Sequence, residues 1–470
     1  MSGAVAAPPP GAAGSYYEAH RKIYPREIQG RYALWRTVAV WVLLGCYYLL
    51  PWLTLHGRQA VLFDLPARKF WIFGLVLWPQ DFIFLTWILV LLGLSLFFFT
   101  ALAGRLWCAY ACPQTVWTEA FLWMERLAEG SRSVRMKLDA APWSLHKLAR
   151  KGAKQLLWVS FALWTGFTFV GFFTPIVTLA HDVLNFDLGP WATFWICFYG
   201  FATYGNAGLL REQVCKYMCP YARFQSAMFD RDTLIITYDT ARGEPRGSRR
   251  REAVRGSGGL GDCIDCTWCV QVCPTGIDIR QGLQYECIAC AACIDACDQV
   301  MDRLDYPRGL IRYTTTNALA QQLTRGQIWR HVLRPRVLVY STILGGICVA
   351  MIVSLGLRVP LKLDVIRDRG TFAREVENEQ VENVYRLQVM NTGPADATYL
   401  LQASGLPGIA VASESRLSAP ALSTQTYILR LRAPEHGTPP GANRILIALT
   451  STADERVQVH EKSVFFGLRP

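Results

Sequence analysis

Five stretches of the chain carry no charged residue and are long enough to cross a membrane: 37–56, 82–104, 155–180, 188–210 and 337–357. A hydrocarbon core about 30 Å thick needs about 20 helical residues, and a buried helix of a globular protein explains one such run but not five. The pattern changes after 358. There, 361–365, 384–390, 398–403, 408–412, 426–431 and 444–450 alternate apolar with polar positions or are rich in β-branched residues, with turn-forming clusters at 391–394 and 437–443. Period two with that punctuation predicts strands, and their spacing predicts a small all-β sandwich of the immunoglobulin type.

The predicted architecture is therefore a multidomain integral membrane protein. It has an N-terminal arm (1–33), four transmembrane helices (34–210), a polar insert (211–336), a fifth transmembrane helix (337–357) and an immunoglobulin-like domain (358–470). Within the insert, 243–261 is rich in Gly, Arg and Ser and reads as a flexible linker, leading into a compact α+β module over 258–308.

Composition and charge add the orientation. Hydrophobic residues make up 52% of the 470, with 16 Trp and 23 Phe, above ordinary globular usage as membrane spans require. Lys and Arg number five before the first span, then three, nine, none and 18 in the successive connections. Cytoplasmic loops keep an excess of these residues, so the N-terminus and insert are expected in the cytoplasm and the C-terminal domain in the periplasm of a bacterial inner membrane. The net charge of +12 then reflects topology and inner-leaflet lipid rather than nucleic acid. The start of the chain, rich in Ala, Pro and Gly, lacks a basic segment before an apolar core, so the first span is expected to serve as an uncleaved signal.

Eight of the 15 cysteines fall in two sets within the insert: Cys263, Cys266, Cys269 and Cys273, then Cys287, Cys290, Cys293 and Cys297. Each set reads C-x2-C-x2-C-x3-C, and Pro274 follows the first. This is the spacing of bacterial two-cluster ferredoxins, in which three close thiolates hold one cubane and the fourth cysteine reaches the other. One [4Fe-4S] cluster is thus assigned to Cys263, Cys266, Cys269 and Cys297, and the second to Cys287, Cys290, Cys293 and Cys273. Disulfides belong to oxidising compartments, and two successive sets of four match zinc sites poorly. Asp298 stands where the pattern has a second proline, which bears on loop geometry rather than on ligation.

Four further cysteines form a repeat. Cys108-Ala-Tyr110-Ala-Cys112-Pro113 follows the second span and Cys215-Lys-Tyr217-Met-Cys219-Pro220 the fourth, both pairs offset by 107 residues, so a two-helix unit with its motif is duplicated. If the helix continues, each pair of thiols stacks at i and i+4; if Pro opens a new helix, Cys112 and Cys219 become its N-caps. Either geometry makes a soft site suited to Cu(I), zinc or an iron–sulfur cluster. Cys46, Cys197 and Cys348, each alone in a span, are read as packing residues. His56 and His181 lie at span ends, so paired histidines for a membrane haem are not expected, and with Asp64 and Asp182 they read as polar ends rather than an outer metal site.

Taken together, the apolar spans, the duplicated C-x3-C-P, the two-cluster ferredoxin and the β-rich tail resemble the CcoG, FixG and RdxA family, accessory factors for cbb-type cytochrome c oxidase. The resemblance implies two [4Fe-4S] clusters, copper as a bound or reduced ion, and oxidoreductase activity converting Cu(II) to Cu(I) for delivery to the oxidase. Cys108, Cys112, Cys215 and Cys219 are then the candidate catalytic and copper-binding residues. The implied partners are copper ions, oxidase subunits or their copper chaperones, an external electron donor and membrane lipid; self-association is left open. The ferredoxin and C-x3-C-P combination also resembles NapH-like components that carry electrons from quinol, which lack use for a β-sandwich tail, and an assembly scaffold with sensory clusters is the third reading.

Overall fold

The computed structural model describes residues 22–55, 57–249, 259–324, 326–328, 334–368, 373–377 and 379–468. His56, most of the N-terminal arm (1–21) and the middle of the linker (250–258) lie outside the described residues. Two compact units emerge, one of Met1–Gly74 with Asp81–Gly345, the other of Leu75–Gln80 with Gly346–Pro470.

In the first unit, helices α1 (Arg31–Leu49), α2 (Phe82–Ala103), α3 (Leu106–Tyr110), α4 (Pro113–Glu129), α5 (Arg132–Ala140), α6 (Leu145–Val170), α7 (Ile176–Leu184), α8 (Pro190–Thr203) and α9 (Pro220–Met228) follow one another, with a hairpin of β1 (Val61–Asp64) and β2 (Lys69–Ile72) between α1 and α2. Among the described residues three helices are long and apolar enough to cross a membrane: Arg31–Trp52, Pro79–Ala103 and Pro335–Gly356. The expectation of five is corrected to three. The stretch at 155–180 is not one helix, because α6 stops at Val170 and a turn precedes Pro175, at the N-cap of α7; a residue before proline is driven out of the helical region. In 188–210, α8 runs only 14 residues before the backbone widens into a π-helix over Tyr204–Leu210.

Glycine brings α6 and α8 together. A Cβ on Gly166 would stand 2.2 Å from the Ile196 carbonyl oxygen, so only hydrogen fits this crossing. Closer to the polar end, the buried Glu125 carboxylate of α4 accepts from Arg211 at 2.7 Å and faces Arg135 of α5 at 3.3 Å, while Glu129 meets Lys151 and Lys154 of α6 at 2.9 and 3.1 Å. Buried carboxylates paired this way fix which helices meet, since an unpaired charge there is costly.

The cysteine-rich module is closed by two strands from its two ends. β3 (Ile235–Tyr238) pairs antiparallel with β4 (Ile311–Thr314), Ile235 opposite Thr314 and Tyr238 opposite Ile311. Ile236, Tyr238, Met301, Leu310 and Ile311 are buried beneath the cysteine loops. The module is anchored at the start of α1, where Asp295, on helix α10 (Ala292–Arg303), accepts the Ala33 N–H at 2.7 Å and the Tyr32 N–H at 3.3 Å. A carboxylate at a helix N-terminus satisfies orphan donors and opposes the dipole. Gly30 is required there, since a Cβ would stand 2.3 Å from the Asp295 carboxyl carbon.

After helix α11 (Pro335–Gly356), the second unit is a two-sheet antiparallel sandwich. Its strands are β5 (Leu361–Arg367), β6 (Arg374–Val376), β7 (Gln380–Asn391), β8 (Ala397–Ser404), β9 (Ala410–Val411), β10 (Arg416–Ala419), β11 (Ser423–Pro434), β12 (Gly441–Ser451) and β13 (Gln458–Gly467). One sheet has the order β9-β11-β7-β5, with β6 also on β7; the other is β10-β8-β12-β13. Period two holds along each central strand: Tyr385, Leu387 and Val389, then Leu429, Leu431 and Ala433, then Ile445, Ile447 and Leu449 face the core. Across the core, the Tyr385 hydroxyl donates to the Val464 carbonyl at 2.9 Å, and Asn383 exchanges two 2.9 Å bonds with the Phe466 backbone. These polar links join the two sheets in a domain that has no cysteine.

Candidate functional site

The two cysteine loops share an uncommon backbone. Asp265 and Thr267 in the first loop, and Ala289 and Ala291 in the second, all have φ between 54° and 60°. Both pairs sit two and four residues after the leading cysteine, Cys263 or Cys287. Left-handed residues alternating with ordinary ones turn successive N–H groups toward a common centre, the geometry of an anion-binding nest. Each loop then enters a helix, Trp268–Gln271 after the first and α10 after the second.

Cys263, Cys266, Cys269 and Cys297 line one small cavity, and Cys273, Cys287, Cys290 and Cys293 line another that Cys269 also borders. The surrounding residues are apolar, including Ile264, Val300, Met301 and Ile311 at the first and Ile236, Ile277, Ile279 and Ile288 at the second. Desolvation pushes the Cys269 and Cys287 thiols up to about 12, only partly offset by Arg280 near the first and by the Ala289 N–H at the second. Such thiols stay protonated unless a metal displaces the proton. Among the described residues no three Cys, His, Asp or Glu side chains stand close enough to hold a single metal ion. Four cysteines at each cavity fit a cubane, whose four thiolates each bind a different iron.

The duplicated motif adopts the second of its two expected geometries. Cys112 and Cys219 are N-caps of α4 and α9, with Pro113 and Pro220 in the first turn. Cys108 lies in α3 and Cys215 in a π-helical turn over Val214–Met218. The offset of 107 extends to the backbone. Gly104 and Arg211, each four residues before a motif, have φ/ψ of 55°/−113° and 44°/−114°, and the N–H groups of Cys112 and Cys219 bond the carbonyls of Trp107 and Val214 at 2.9 and 2.8 Å.

The two motifs converge. Cys108 lies within electrostatic reach of Cys112 and Cys215, Cys112 of Cys219, and Cys215 of Cys112 and Cys219. Desolvation drives Cys108 and Cys215 up to about 12, with the neighbouring thiols adding to it and Arg105 opposing it. Cys112 is raised by burial against the opposing N–H groups of Thr115 and Gln114.

Two of the four, Cys108 and Cys215, border residues of the second cysteine set. Ala109 is fully buried against Val272, Ile288, Cys290, Ala292 and Ala296, with Cys108 and Tyr110 packed beside it. Arg105, 4% exposed, donates from Nη1 to the carbonyls of Tyr285 and Cys287, the latter at 3.0 Å, and from Nη2 to Ala222 at 2.7 Å. Its charge is felt at Cys108, Cys215 and Cys287. A cavity of ≈ 520 Å³ is bordered by Cys215 and Cys290, with Gln114, Thr115, Thr118 and Glu119 on its wall.

Arg105 and Gln225 were not singled out by sequence reasoning. Arg105 carried one weak signal, its place three residues before Cys108; Gln225, fully buried with its Oε1 3.4 Å from the Cys108 sulfur, carried none. Cys46 and Cys197 are exposed on their helices and Cys348 is half-buried. His181 pairs with Asn185 and Asp64 with the Ala67 N–H, away from any shared site.

Comparison with known proteins places these features. A family described as "4Fe-4S dicluster domain" matches residues 210–316, and a second, described as an Ig-like fold at the C-terminus of FixG, matches 351–468. The chain is 40% identical over 84% of its length to the nitrogen fixation protein FixG of Rhizobium meliloti, covering 81% of that protein. It is 38% identical to RdxA of Cereibacter sphaeroides over 90% of this chain and 92% of that one. A crystal structure of a FixG-related protein from Vibrio parahaemolyticus covers 23% of this chain and 96% of its own, at 23% identity and a TM-score of 0.21.

Proposed function

The chain belongs to the family of the FixG and RdxA proteins, iron–sulfur proteins of the electron-transfer type, and from that premise we propose that it reduces Cu(II) to Cu(I) during assembly of a cbb-type cytochrome c oxidase. One observation carries this reading: Cys108 of the first C-x3-C-P packs against Ile288 and Cys290 of the loop that supplies the second set of ferredoxin cysteines, Cys215 of the second shares a cavity wall with Cys290, and Arg105 bonds the Cys287 carbonyl. Bound at the eight ferredoxin cysteines, two [4Fe-4S] clusters would supply one-electron transfer.

The protein's own groups do the rest. The isoleucines and Met301 around the two cavities exclude water. Arg105 ties the Cys287 loop to the start of the first C-x3-C-P. The Cys215 side of the four-cysteine group borders the ≈ 520 Å³ cavity, which gives a small ion access. Reduction of Cu(II) takes one electron, which a cluster held by the ferredoxin cysteines would supply and an external reductant would replace. Thiolates favour the cuprous ion as product.

Three crossings preserve the expected orientation. The two interrupted stretches are consecutive, so leaving both out of the count does not change which side any later segment faces. The Lys and Arg bias then puts all 12 motif cysteines on the cytoplasmic side and the immunoglobulin-like domain in the periplasm, where it would meet oxidase subunits.

The test is anaerobic. The full chain, chemically reduced and freed of excess reductant, is mixed with Cu(II) and a Cu(I)-specific chelator while cluster absorbance is followed. One Cu(I) formed per cluster oxidised is expected; clusters that stay reduced in excess Cu(II) would overturn the copper reading.

A further inference from the structure

We propose that Cys108, Cys112, Cys215 and Cys219 together hold a third iron–sulfur cluster of the [4Fe-4S] type, placed next in line after the cluster assigned to Cys273, Cys287, Cys290 and Cys293. The inference rests on the electron-transfer reading above and deepens it by naming the resident group of the four-cysteine site; copper is then a substrate that meets this group rather than its occupant.

Three observations converge on it. The first is number and kind. Two motifs 107 residues apart bring four thiols within electrostatic reach of one another. Four thiolates are the complete ligand set of a cubane, the set also found at each of the two ferredoxin cavities.

The second is a buried amide at the site. Gln225 is fully buried between Tyr221 and Cys108, and its Oε1 accepts from the Cys108 sulfhydryl at 3.4 Å. An amide held against a ligand sulfur is a standard means of setting cluster potential.

The third is a buried cation held by carbonyls. Arg105 donates to three backbone carbonyl oxygens, makes no ion pair at bonding distance among the described residues, and leaves its Nε unpaired. Burying a guanidinium without full compensation is expensive. Cys108, Cys287, Cys215 and one carboxylate, Glu286, lie within electrostatic reach of it. Four-thiolate clusters on both sides of this arginine would carry net negative charge and add the rest of the counter-charge.

The experiment counts iron and sulfide in the full chain purified anaerobically in detergent, with EPR of the reduced protein, for wild type, Cys112→Ser, Cys219→Ser and Gln225→Leu. Three cubanes give about 12 irons per chain and two give about 8. The expected result is about 12 in wild type, about 8 in each serine variant with the two ferredoxin signals intact, and about 12 in Gln225→Leu with the midpoint of one signal shifted. About 8 irons in wild type, or about 12 in the serine variants, overturns the inference. Stoichiometric copper held by these cysteines in a chain with about 8 irons also overturns it, while leaving the electron-transfer reading in place. About 12 irons in a chain that does not reduce Cu(II) upholds the third cluster and removes the copper substrate instead.

Discussion

Replacing Arg105 by glutamine should lower the midpoint potential of the cluster held by Cys287 without emptying the site. The guanidinium bonds the Cys287 carbonyl at 3.0 Å, which puts its charge roughly 6–10 Å from the centre of a cluster on that cysteine; at an effective dielectric of about 20 a unit charge there is worth about 1.7–2.8 kcal/mol. For one electron this equals about 70–120 mV. The direction is downward, because reduction adds negative charge and Arg105 stabilises it. The side chain is almost fully buried, so solvent screening takes little away. Glutamine also forfeits at least two of the three carbonyl bonds, a stability cost of about 3 kcal/mol. Arg105→Lys separates the two effects, keeping the charge and losing the fork. An EPR-monitored redox titration of the three proteins is the assay. A midpoint within about 20 mV of wild type in Arg105→Gln, at full iron content, refutes the electrostatic role.

Two further predictions concern the frame around the site. Glu382 of β7 has its buried carboxylate between Arg374 and Arg432, directly opposite it on β6 and β11, with Arg432 at 2.7 Å. Burial works to raise its pKa, but the two guanidinium groups outweigh burial and hold it below the ordinary value of 4.5. A depressed folded-state pKa means that this stabilisation is complete above the unfolded value and is lost as pH falls through the folded one. Denaturation of the full chain should therefore show the immunoglobulin-like transition weakening in acid, and Glu382→Gln should cost about 2 kcal/mol at neutral pH and flatten that acid slope. An unchanged slope in the variant argues against the arginine pairing. Gly166→Ala should separate α6 from α8 and cost about 1–3 kcal/mol in a detergent melting assay. Gly152→Ala, on the same helix with nothing within 4 Å of a new Cβ, should be neutral or slightly stabilising; equal effects at the two positions would show that the helix crossing is not the cause.

What could be read from the sequence was what depends on near neighbours. The grouping of the ferredoxin cysteines follows from local spacing, and the six strands expected after 358 follow from period two; all six are present. The strand Gln458–Gly467 was missed because it lies at a sheet edge and carries His460, Glu461 and Lys462, the charges by which edges avoid pairing with other chains. A charge-free run says how apolar a segment is, but not whether its backbone continues, so Pro175 and the π-turn at Tyr204–Leu210 turned five expected spans into three candidates. For the C-x3-C-P motifs the sequence allowed two helix geometries, and tertiary packing selected the N-cap form at both. Arg105 and Gln225 were hidden for a different reason: Arg105 meets Cys287 across 182 positions and Gln225 meets Cys108 across 117, and no local pattern encodes such distances.

The central claim is that electrons leave the ferredoxin clusters through the four-cysteine site, and a single-turnover comparison tests it most directly. Reduced wild type and reduced Cys219→Ser, both retaining the eight ferredoxin cysteines, are mixed anaerobically with Cu(II) and the Cu(I) chelator in a stopped-flow instrument. The account predicts that wild type re-oxidises its clusters with matching Cu(I) formation, and that the variant keeps its ferredoxin EPR signals yet slows at least about tenfold, a loss of about 1.4 kcal/mol in the barrier. Equal rates in the two proteins would contradict the account, because they would mean that the electrons reach copper without passing through the duplicated motif.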